Sequence, residues 1–180
     1  MKPTKQQLID AENHKLRDVI SSHLDVLFVG INPSVYSTAV GHHFARPGNR
    51  FWPALHIGGF TPRQLSPFED YLLPDFGCGL TNVASRTTAR ADHLDDDELE
   101  RGGRGLIRKV SYWKPKCVAF LGVTSYRTAF ARPHAVIGQQ EELIASRPIW
   151  VLPNPSGLNA HFQLPDFKGL FAQLRNAVSC

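Results

Sequence analysis

The stretch Val26-Leu27-Phe28-Val29-Gly30-Ile31-Asn32-Pro33-Ser34 decides the fold class of this chain. Its unbroken apolar run is typical of a strand that is buried on both faces, as the strands of parallel sheets are. The Asn-Pro pair then ends the strand, because proline has no backbone N–H to donate. A second apolar run, Trp150-Val151-Leu152, ends in Pro153-Asn154-Pro155-Ser156-Gly157. Either both Asn-Pro pairs are ordinary turns, or two strand ends together build a site.

The other apolar runs alternate with helical patterns along the chain. We predict strands over residues 26–31, 79–84, 117–122 and 148–152, and helices over 4–23, 50–56, 61–73, 95–113, 125–131 and 166–178. This alternation indicates an α/β fold: a three-layer αβα sandwich with a central, mostly parallel four-stranded sheet. Ligands of such sheets bind beyond the carboxyl ends of the strands, where both Asn-Pro pairs fall. The two turns are therefore expected to face one crevice.

The chain is predicted to form one main domain, residues 25–180, after an N-terminal helical extension, residues 1–24. Thr4 and Gln7 have the spacing of a capping box at the start of that extension. Residues 32–49 are predicted to be a long connection. Gly102, Gly103 and Gly105 weaken the helical pattern in the middle of residues 95–113.

Composition excludes several classes of protein. The chain has 180 residues, of which 42% are hydrophobic and 20% charged, as in an ordinary globular domain. No apolar stretch has the length of a membrane span, and the N-terminus is too polar for a signal peptide. Cys78, Cys117 and Cys180 are far apart, which excludes a four-cysteine cluster or a C-x-x-C zinc site. We therefore expect a soluble, cytoplasmic protein with no membrane partner, no metal and no cofactor.

Charge is distributed unevenly along the chain. Six acidic residues fall within residues 92–100, which contain no Lys or Arg. The rest of the chain has 20 basic residues against 10 acidic ones, an excess that suits a polyanion such as nucleic acid. A basic but otherwise ordinary protein remains the alternative, because net charge alone is weak evidence.

The loop Gly41-His42-His43-Phe44-Ala45-Arg46-Pro47-Gly48-Asn49-Arg50-Phe51-Trp52 has an unusual composition. It interleaves aromatic side chains with arginines, a combination that can stack a base and hold phosphates. The usual nucleophile and phosphate-loop motifs, G-x-S-x-G, G-x-x-x-x-G-K-[ST] and G-x-G-x-x-G, are absent from the sequence.

Three motifs together resemble one family. They are G-I-N-P-S at 30–34, G-x-x-F-A-R-P-G-N-R-F-W at 41–52 and V-L-P-N-P-S-G-L at 151–158. Their order and spacing are similar to those of the mismatch-specific uracil-DNA glycosylases, the bacterial relatives of thymine-DNA glycosylase. The resemblance covers residues 26–174. It implies a monomeric, cofactor-free enzyme that flips uracil opposite guanine out of double-stranded DNA and hydrolyses its glycosidic bond.

The resemblance also implies roles for residues near the first Asn-Pro pair. Asn32 would hold the attacking water, and its amide oxygen has the chemistry to orient one. Backbone groups of Ile31 and Phe44 would bond the uracil edge, the Phe44 ring would stack on the base, and Ser37 would line the pocket. The alternatives are that Asn32 merely ends a strand and that Phe44 is a core residue, one of eleven phenylalanines in the chain.

The residues around the second Asn-Pro pair are expected to contact the DNA. By resemblance, Leu158 is a wedge that fills the space left by the flipped base, and Gly157 and Asn159 present backbone groups to the unpaired guanine. Asn154 and Ser156 are candidates for phosphate contacts on their chemistry alone. The alternative for Leu158 is a buried leucine at a helix entry. Ser34 and Ala160 depart from the family pattern, in which these positions often hold glycine and, in a close relative, a basic residue.

Asp92 is a second candidate for catalysis. A carboxylate there could polarise the water or stabilise the positive charge that develops on the sugar. The favoured interpretation is a solvated acid like its neighbours, given the six local acids.

Two other functions remain open from the sequence. One is a non-catalytic protein that binds DNA lesions with the same fold. The other is a small-molecule enzyme with a flavodoxin-like sheet, in which the basic loop binds a phosphate. No sequence cue points to a lysine that forms a Schiff base, so hydrolysis by water is expected.

Overall fold

The computed structural model describes residues 2–12 and 14–179. Five strands form one sheet: β1 Val26–Gly30, β2 Cys78–Asn82, β3 Cys117–Leu121, β4 Gly138–Ile144 and β5 Arg147–Leu152. Their order is β2-β1-β3-β5-β4; β1, β2, β3 and β5 are parallel, and β4 pairs antiparallel with β5. The predicted α/β class and mostly parallel sheet are confirmed, but the strand number of four is wrong.

The sequence prediction missed β4 because that strand lies at an edge. Its residues, Gly-Gln-Gln-Glu-Glu-Leu-Ile, alternate between half-buried and exposed positions over most of its length. An edge strand that faces solvent needs no continuous apolar run, and charged residues protect it from pairing with other chains.

The helices cover both faces of the sheet. They are α1 Lys5–Ala11, α2 Val35–Val40, α3 Phe51–Ile57, α4 Asp96–Trp113, α5 Val123–Ala129 and α6 Leu164–Ser179, with 3₁₀ segments at Pro67–Phe76 and Ala91–His93. α4 starts with a capping box between Asp95 and Glu98, and acids fill its first turn, as the helix dipole favours.

Alternate strand residues divide the core between the two faces. On one face Phe28 packs with Phe51, Phe60 and Phe171 from α3, the following loop and α6. On the other face Leu27 and Val29 belong to a cluster with residues of α4 and α5. The three-layer arrangement therefore follows from the period of two along each buried strand.

Three local predictions need correction. The helix predicted over residues 4–23 ends at Ala11, and α2 interrupts the connection predicted over residues 32–49. The segment expected to start at Thr61 begins instead after Ser66, which forms a capping box with Glu69.

Residues 14–18 have no regular secondary structure, and Val19 pairs with the sheet instead of continuing α1. Val19 pairs antiparallel with Leu80 of β2, through hydrogen bonds of 2.9 and 2.7 Å. The Thr87 hydroxyl donates to the carbonyl of His14 at 2.9 Å. The apolar spacing that suggested a helix here is used to cover the edge of β2. The N-terminal residues thus contact the loop that follows this strand.

Two of the three cysteines are free thiols in the core. Cys78 and Cys117 are buried in strands, as predicted, and burial raises the pKa of each thiol to about 12. Cys180 lies outside the described residues. Within residues 2–12 and 14–179, no helix is both long and apolar enough to cross a membrane, and no group of three or more acidic, His or Cys side chains could hold a metal ion.

Candidate active site

A cleft of about 370 Å³ opens at the carboxyl ends of the four parallel strands. Gly30 contributes from β1, Asn82 from β2, Leu121 from β3 and Asn154 from the turn after β5. The cleft therefore lies where an open parallel sheet is expected to bind its ligand. Both Asn-Pro turns line it, as the alternation of strands and helices predicted.

Asn32 lies in this cleft with its side chain held in one orientation. Its amide nitrogen donates to the carbonyl of Arg86 at 3.0 Å, to Oγ1 of Thr88 at 2.7 Å and to the carbonyl of Pro33 at 3.3 Å. The Thr88 hydroxyl donates to the carbonyl of Arg90 at 2.6 Å, so its oxygen is left to accept from Asn32. These acceptors fix which end of the amide is nitrogen.

The amide oxygen of Asn32 is left without a hydrogen-bond partner in the described part of the chain. An amide oxygen can accept a hydrogen bond from water and thereby direct the lone pairs of that water. The site thus uses the nitrogen for structure and leaves the oxygen of this cleft residue available to accept a hydrogen bond. A residue that merely ends a strand, the alternative interpretation of Asn32, does not need an anchored amide nitrogen and a free amide oxygen.

The segment that holds Asn32 is an extension of β2. Val83 donates its N–H to the carbonyl of Gly30, and Ala84 to that of Ile31, both at 2.9 Å. The N–H of Thr88 then reaches the carbonyl of Pro33 at 3.2 Å. Thr88 was missed at the level of sequence. Its only signal was the polar run Arg86-Thr87-Thr88 directly after a strand.

Phe44 lines the cleft with one face of its ring packed on the core. It lies 4.3 Å from Phe51, centroid to centroid, with an angle of 27° between the rings, and its backbone has φ of 53°. Left-handed backbone at a non-glycine residue is strained, so the surrounding loop must hold it. A ring backed by another ring suits stacking of a flat base on its other side.

A buried carboxylate holds the loop before Phe44. Asp70 accepts hydrogen bonds from the backbone N–H of His43 at 3.1 Å and from the His42 ring at 3.0 Å. Burial lowers the pKa of His43, whose Nε2 lies 2.8 Å from the carbonyl of Arg17. His43 is itself buried, with only 2% of its surface exposed.

Ser37 lies in the wall of the cleft, paired with Ser34. The backbone N–H of Ser37 donates to the Ser34 hydroxyl at 3.2 Å, because Ser34 is the N-cap of α2. The Ser34 hydroxyl in turn donates to Oγ of Ser37 at 3.1 Å, and the N–H of Ala45 donates to the same atom at 3.1 Å. Ser34, which stands where the family often has glycine, thus adds a hydroxyl that caps α2 and lies in the cleft wall.

The loop after β5 presents Leu158 to solvent. Its side chain is 70% exposed, which excludes the alternative of a buried leucine at a helix entry. Asn154, Ser156 and Asn159 also line the cleft. Gly157 is instead packed against another loop, because a Cβ there would lie 2.7 Å from the carbonyl oxygen of Gly48.

The side chains of Asn154 and Asn159 are engaged within that loop. Oδ1 of Asn154 accepts from the N–H of Ser156 at 3.0 Å, and Nδ2 of Asn159 donates to the carbonyl of Asn154 at 2.9 Å. Both amides therefore shape the turn that displays Leu158. Their contact with phosphate stays a prediction.

Asp92 lies at the rim of the cleft and is ion-paired. Its two carboxylate oxygens accept from Nε and Nη2 of Arg90 at 3.0 and 2.7 Å, and its side chain is 59% exposed. The hydrogen bonds from Arg90 lower the pKa of Asp92. This geometry matches the favoured interpretation, a solvated acid.

Asn82 is a second cleft amide that sequence reasoning missed. It ends β2, and its Oδ1 lies 2.5 Å from the position that a Cβ on Gly30 would occupy, so a larger residue at 30 would displace the Asn82 side chain. Its side chain has no hydrogen-bond partner in the described part of the chain. The position of Asn82 at a strand end was a signal, but a lone asparagine there is common.

The chain is similar to known proteins in fold and in sequence pattern. Among solved structures, the solution NMR structure of a protein from Methanosarcina acetivorans, provisionally described as a uracil DNA glycosylase, has a similar fold. The two chains share 18% identity with a TM-score of 0.60, over 90% of this chain and 98% of the other, which supports the fold alone. The sequence pattern of the Uracil DNA glycosylase superfamily matches residues 17–176. This match includes the sheet, both Asn-Pro turns and the cleft, and the chain therefore belongs to the uracil DNA glycosylase superfamily.

Proposed function

We propose that this protein is a monofunctional, mismatch-specific uracil-DNA glycosylase, which acts as a monomer on uracil opposite guanine in double-stranded DNA. One observation carries the proposal. The Asn32 amide, anchored through its nitrogen and open at its oxygen, shares a cleft with the ring of Phe44 and with the exposed Leu158. A water-directing group, a stacking ring and an apolar wedge are what base excision requires.

In the proposed reaction, the bond between C1′ of the sugar and N1 of uracil breaks and its electron pair leaves with the base. Water attacks C1′, loses a proton to solvent, and leaves an abasic site. The Asn32 oxygen accepts a hydrogen bond from that water and fixes its approach. Little basic strength is needed, because the sugar already carries positive charge.

The extruded uracil would lie against Phe44, with Ile31 and Ser37 beside it, since all three residues line the cleft. Asn82 would read the edge of the base. An amide offers a donor and an acceptor side by side, which complements the N3–H and O4 of uracil. We therefore assign Asn82 to base selection and Asn32 to the attack of water.

A panel of duplexes tests the function. Wild-type protein in excess should cut a G·U duplex in a single turnover, cut A·U more slowly, and leave a T·A duplex intact. Affinity for any duplex should fall steeply as salt rises, because phosphate contacts release counterions. Tight binding of G·U without cleavage would instead support the lesion-binding alternative. Binding without salt dependence would support the small-molecule enzyme.

Asp92→Asn tests whether this carboxylate takes part in the chemistry. We expect the single-turnover rate to stay within about twofold, because loss of a general base would cost about 10²–10⁴-fold. Duplex affinity should rise, since Arg90 loses its ion-pair partner and is free to contact phosphate. The control is Asp97→Asn, which removes the same charge from the exposed first turn of α4. A large loss of rate in Asp92→Asn alone would assign Asp92 to catalysis.

A further inference from the structure

Arg50 binds the loop that carries Leu158. Its backbone N–H donates to the carbonyl of Pro155 at 2.8 Å. Its Nη1 donates to the carbonyls of Ser156 and Asn159, at 3.0 and 2.9 Å. One residue before α3 thus holds three carbonyls of residues 155–159, which we call the wedge loop.

The wedge loop also touches the segment just before Arg50. A Cβ on Gly157 would lie 2.7 Å from the oxygen and 3.1 Å from the carbon of the Gly48 carbonyl group. Gly48 itself has φ of 83°, a conformation that other residues adopt with strain. The backbones of the two loops are therefore in contact, and Arg50 adds hydrogen bonds to the wedge loop.

The Leu158 side chain at the tip of the wedge loop is not packed against the rest of the protein. Leu158 is 70% exposed, so hydrophobic contacts do not fix its position in the free protein. Ordering a loop residue costs about 1–2 kcal/mol of backbone entropy, a cost that would otherwise fall on DNA binding. Hydrogen bonds from a charged donor to backbone carbonyls are among the stronger ones available to set such a loop in advance.

Arg50 differs in this respect from Arg46 in the same segment. The guanidinium of Arg46 has no hydrogen-bond or ion-pair partner in the described part of the chain, and it lines the cleft. The guanidinium of Arg50 is directed to protein carbonyls and to Oε1 of Gln163, at 3.4 Å. Arg46 is thus available to phosphate, whereas Arg50 is committed to the loop.

We propose that Arg50 is a positioning residue that presets the wedge loop, so that Leu158 enters the duplex without first having to be ordered. The proposal rests on the glycosylase function proposed above. It predicts that Arg50 matters for opening a duplex and not for breaking the glycosidic bond.

Base flipping can be measured separately from cleavage. The probe is a duplex with 2-aminopurine beside a non-hydrolysable 2′-fluoro-deoxyuridine opposite guanine; its fluorescence rises when the stack opens. In saturating protein, Arg50→Gln should lower the flipped fraction about 10-fold or more, the value of one hydrogen bond to a charged group. Leu158→Ala should show a similar loss. Arg46→Gln, the matched loss of charge, should weaken affinity while the flipped fraction at saturation stays as in wild type.

A double-mutant cycle shows whether Arg50 acts through Leu158. We expect Arg50→Gln to add less than about twofold in the Leu158→Ala background, because residues that act through one element are not additive. The full Arg50→Gln loss in that background, or an equal loss in Arg46→Gln, would overturn the proposal. Failure of the wild type to cut G·U would refute the proposed function, but the fluorescence result would still decide whether Arg50 presets the loop.

Hydrogen exchange of the free protein distinguishes a local effect of Arg50→Gln on the wedge loop from an effect on folding as a whole. The amides of Asn154 and of residues 156–160 should exchange faster in Arg50→Gln, while those of the sheet stay as in wild type. Arg50→Lys keeps the charge and part of the donor set, and it should restore part of the protection. Unchanged exchange at Asn154 and residues 156–160 in both variants contradicts the proposal.

Discussion

Replacing Asn32 by alanine is expected to reduce the single-turnover rate of uracil excision by roughly 10²-fold or more, since misplacing a reacting group by about 1 Å has that effect. The variant loses the oxygen that directs water. Its affinity for a G·U duplex should change little, because the stacking ring and the wedge loop are untouched. Rates with protein in excess, together with fluorescence anisotropy of the labelled duplex, measure the two quantities.

Thr88→Val provides a matched control for the orientation of that amide. Valine has nearly the shape of threonine but cannot accept the 2.7 Å hydrogen bond from the Asn32 nitrogen. The bond to the carbonyl of Arg86 remains, so we expect a smaller loss than in Asn32→Ala, about 10-fold. Near-normal cleavage by Asn32→Ala would remove Asn32 from the mechanism. A larger loss in Thr88→Val than in Asn32→Ala would make Thr88 the more important group.

Gly102→Ala is expected to destabilise the protein by about 1–3 kcal/mol, in spite of the higher helix propensity of alanine. Its Cβ would lie 2.3 Å from the oxygen and 2.8 Å from the carbon of the Val83 carbonyl group. Backbone cannot rotate away as a side-chain end can, so α4 or the segment after β2 must shift. That segment holds Asn32, and uracil excision should fall as well. Thermal unfolding and single-turnover rates report both effects.

Gly105→Ala is the control in the same helix. A Cβ at residue 105 would come no closer than 3.8 Å to a neighbour, Nη2 of Arg108. Only the higher helix propensity of alanine then changes the stability, and we expect stabilisation by about 0.5–1 kcal/mol with unchanged activity. A shift of the same sign in both variants would show that the close approach of Gly102 to Val83 is not what sets the stability.

The sequence was sufficient for the four parallel strands and for part of the site. Buried parallel strands carry their signal locally, as the run from Val26 to Ile31 does, and the strand ends follow from it. The polar edge strand β4 and the extended residues 14–19 were mispredicted. Their conformations depend on pairing with β5 and with Leu80, residues that are neighbours in space only.

What the sequence alone determined is the α/β class, the crevice at the strand ends, and Asn32, Phe44 and Leu158 as the residues to examine. Residue type and short-range pattern suffice for the class and the crevice, and the three residues follow from the resemblance of their motifs to a known family. Only the tertiary structure decided which end of the Asn32 amide is free, why Gly102 must be glycine, and that Arg50 serves the wedge loop. Each of these depends on contacts between residues far apart in the chain, such as Arg50 with Asn159 and Asn32 with Thr88. Hydrogen-bond partners and close backbone approaches leave no periodic trace in the sequence, and so they appear only when the chain is folded.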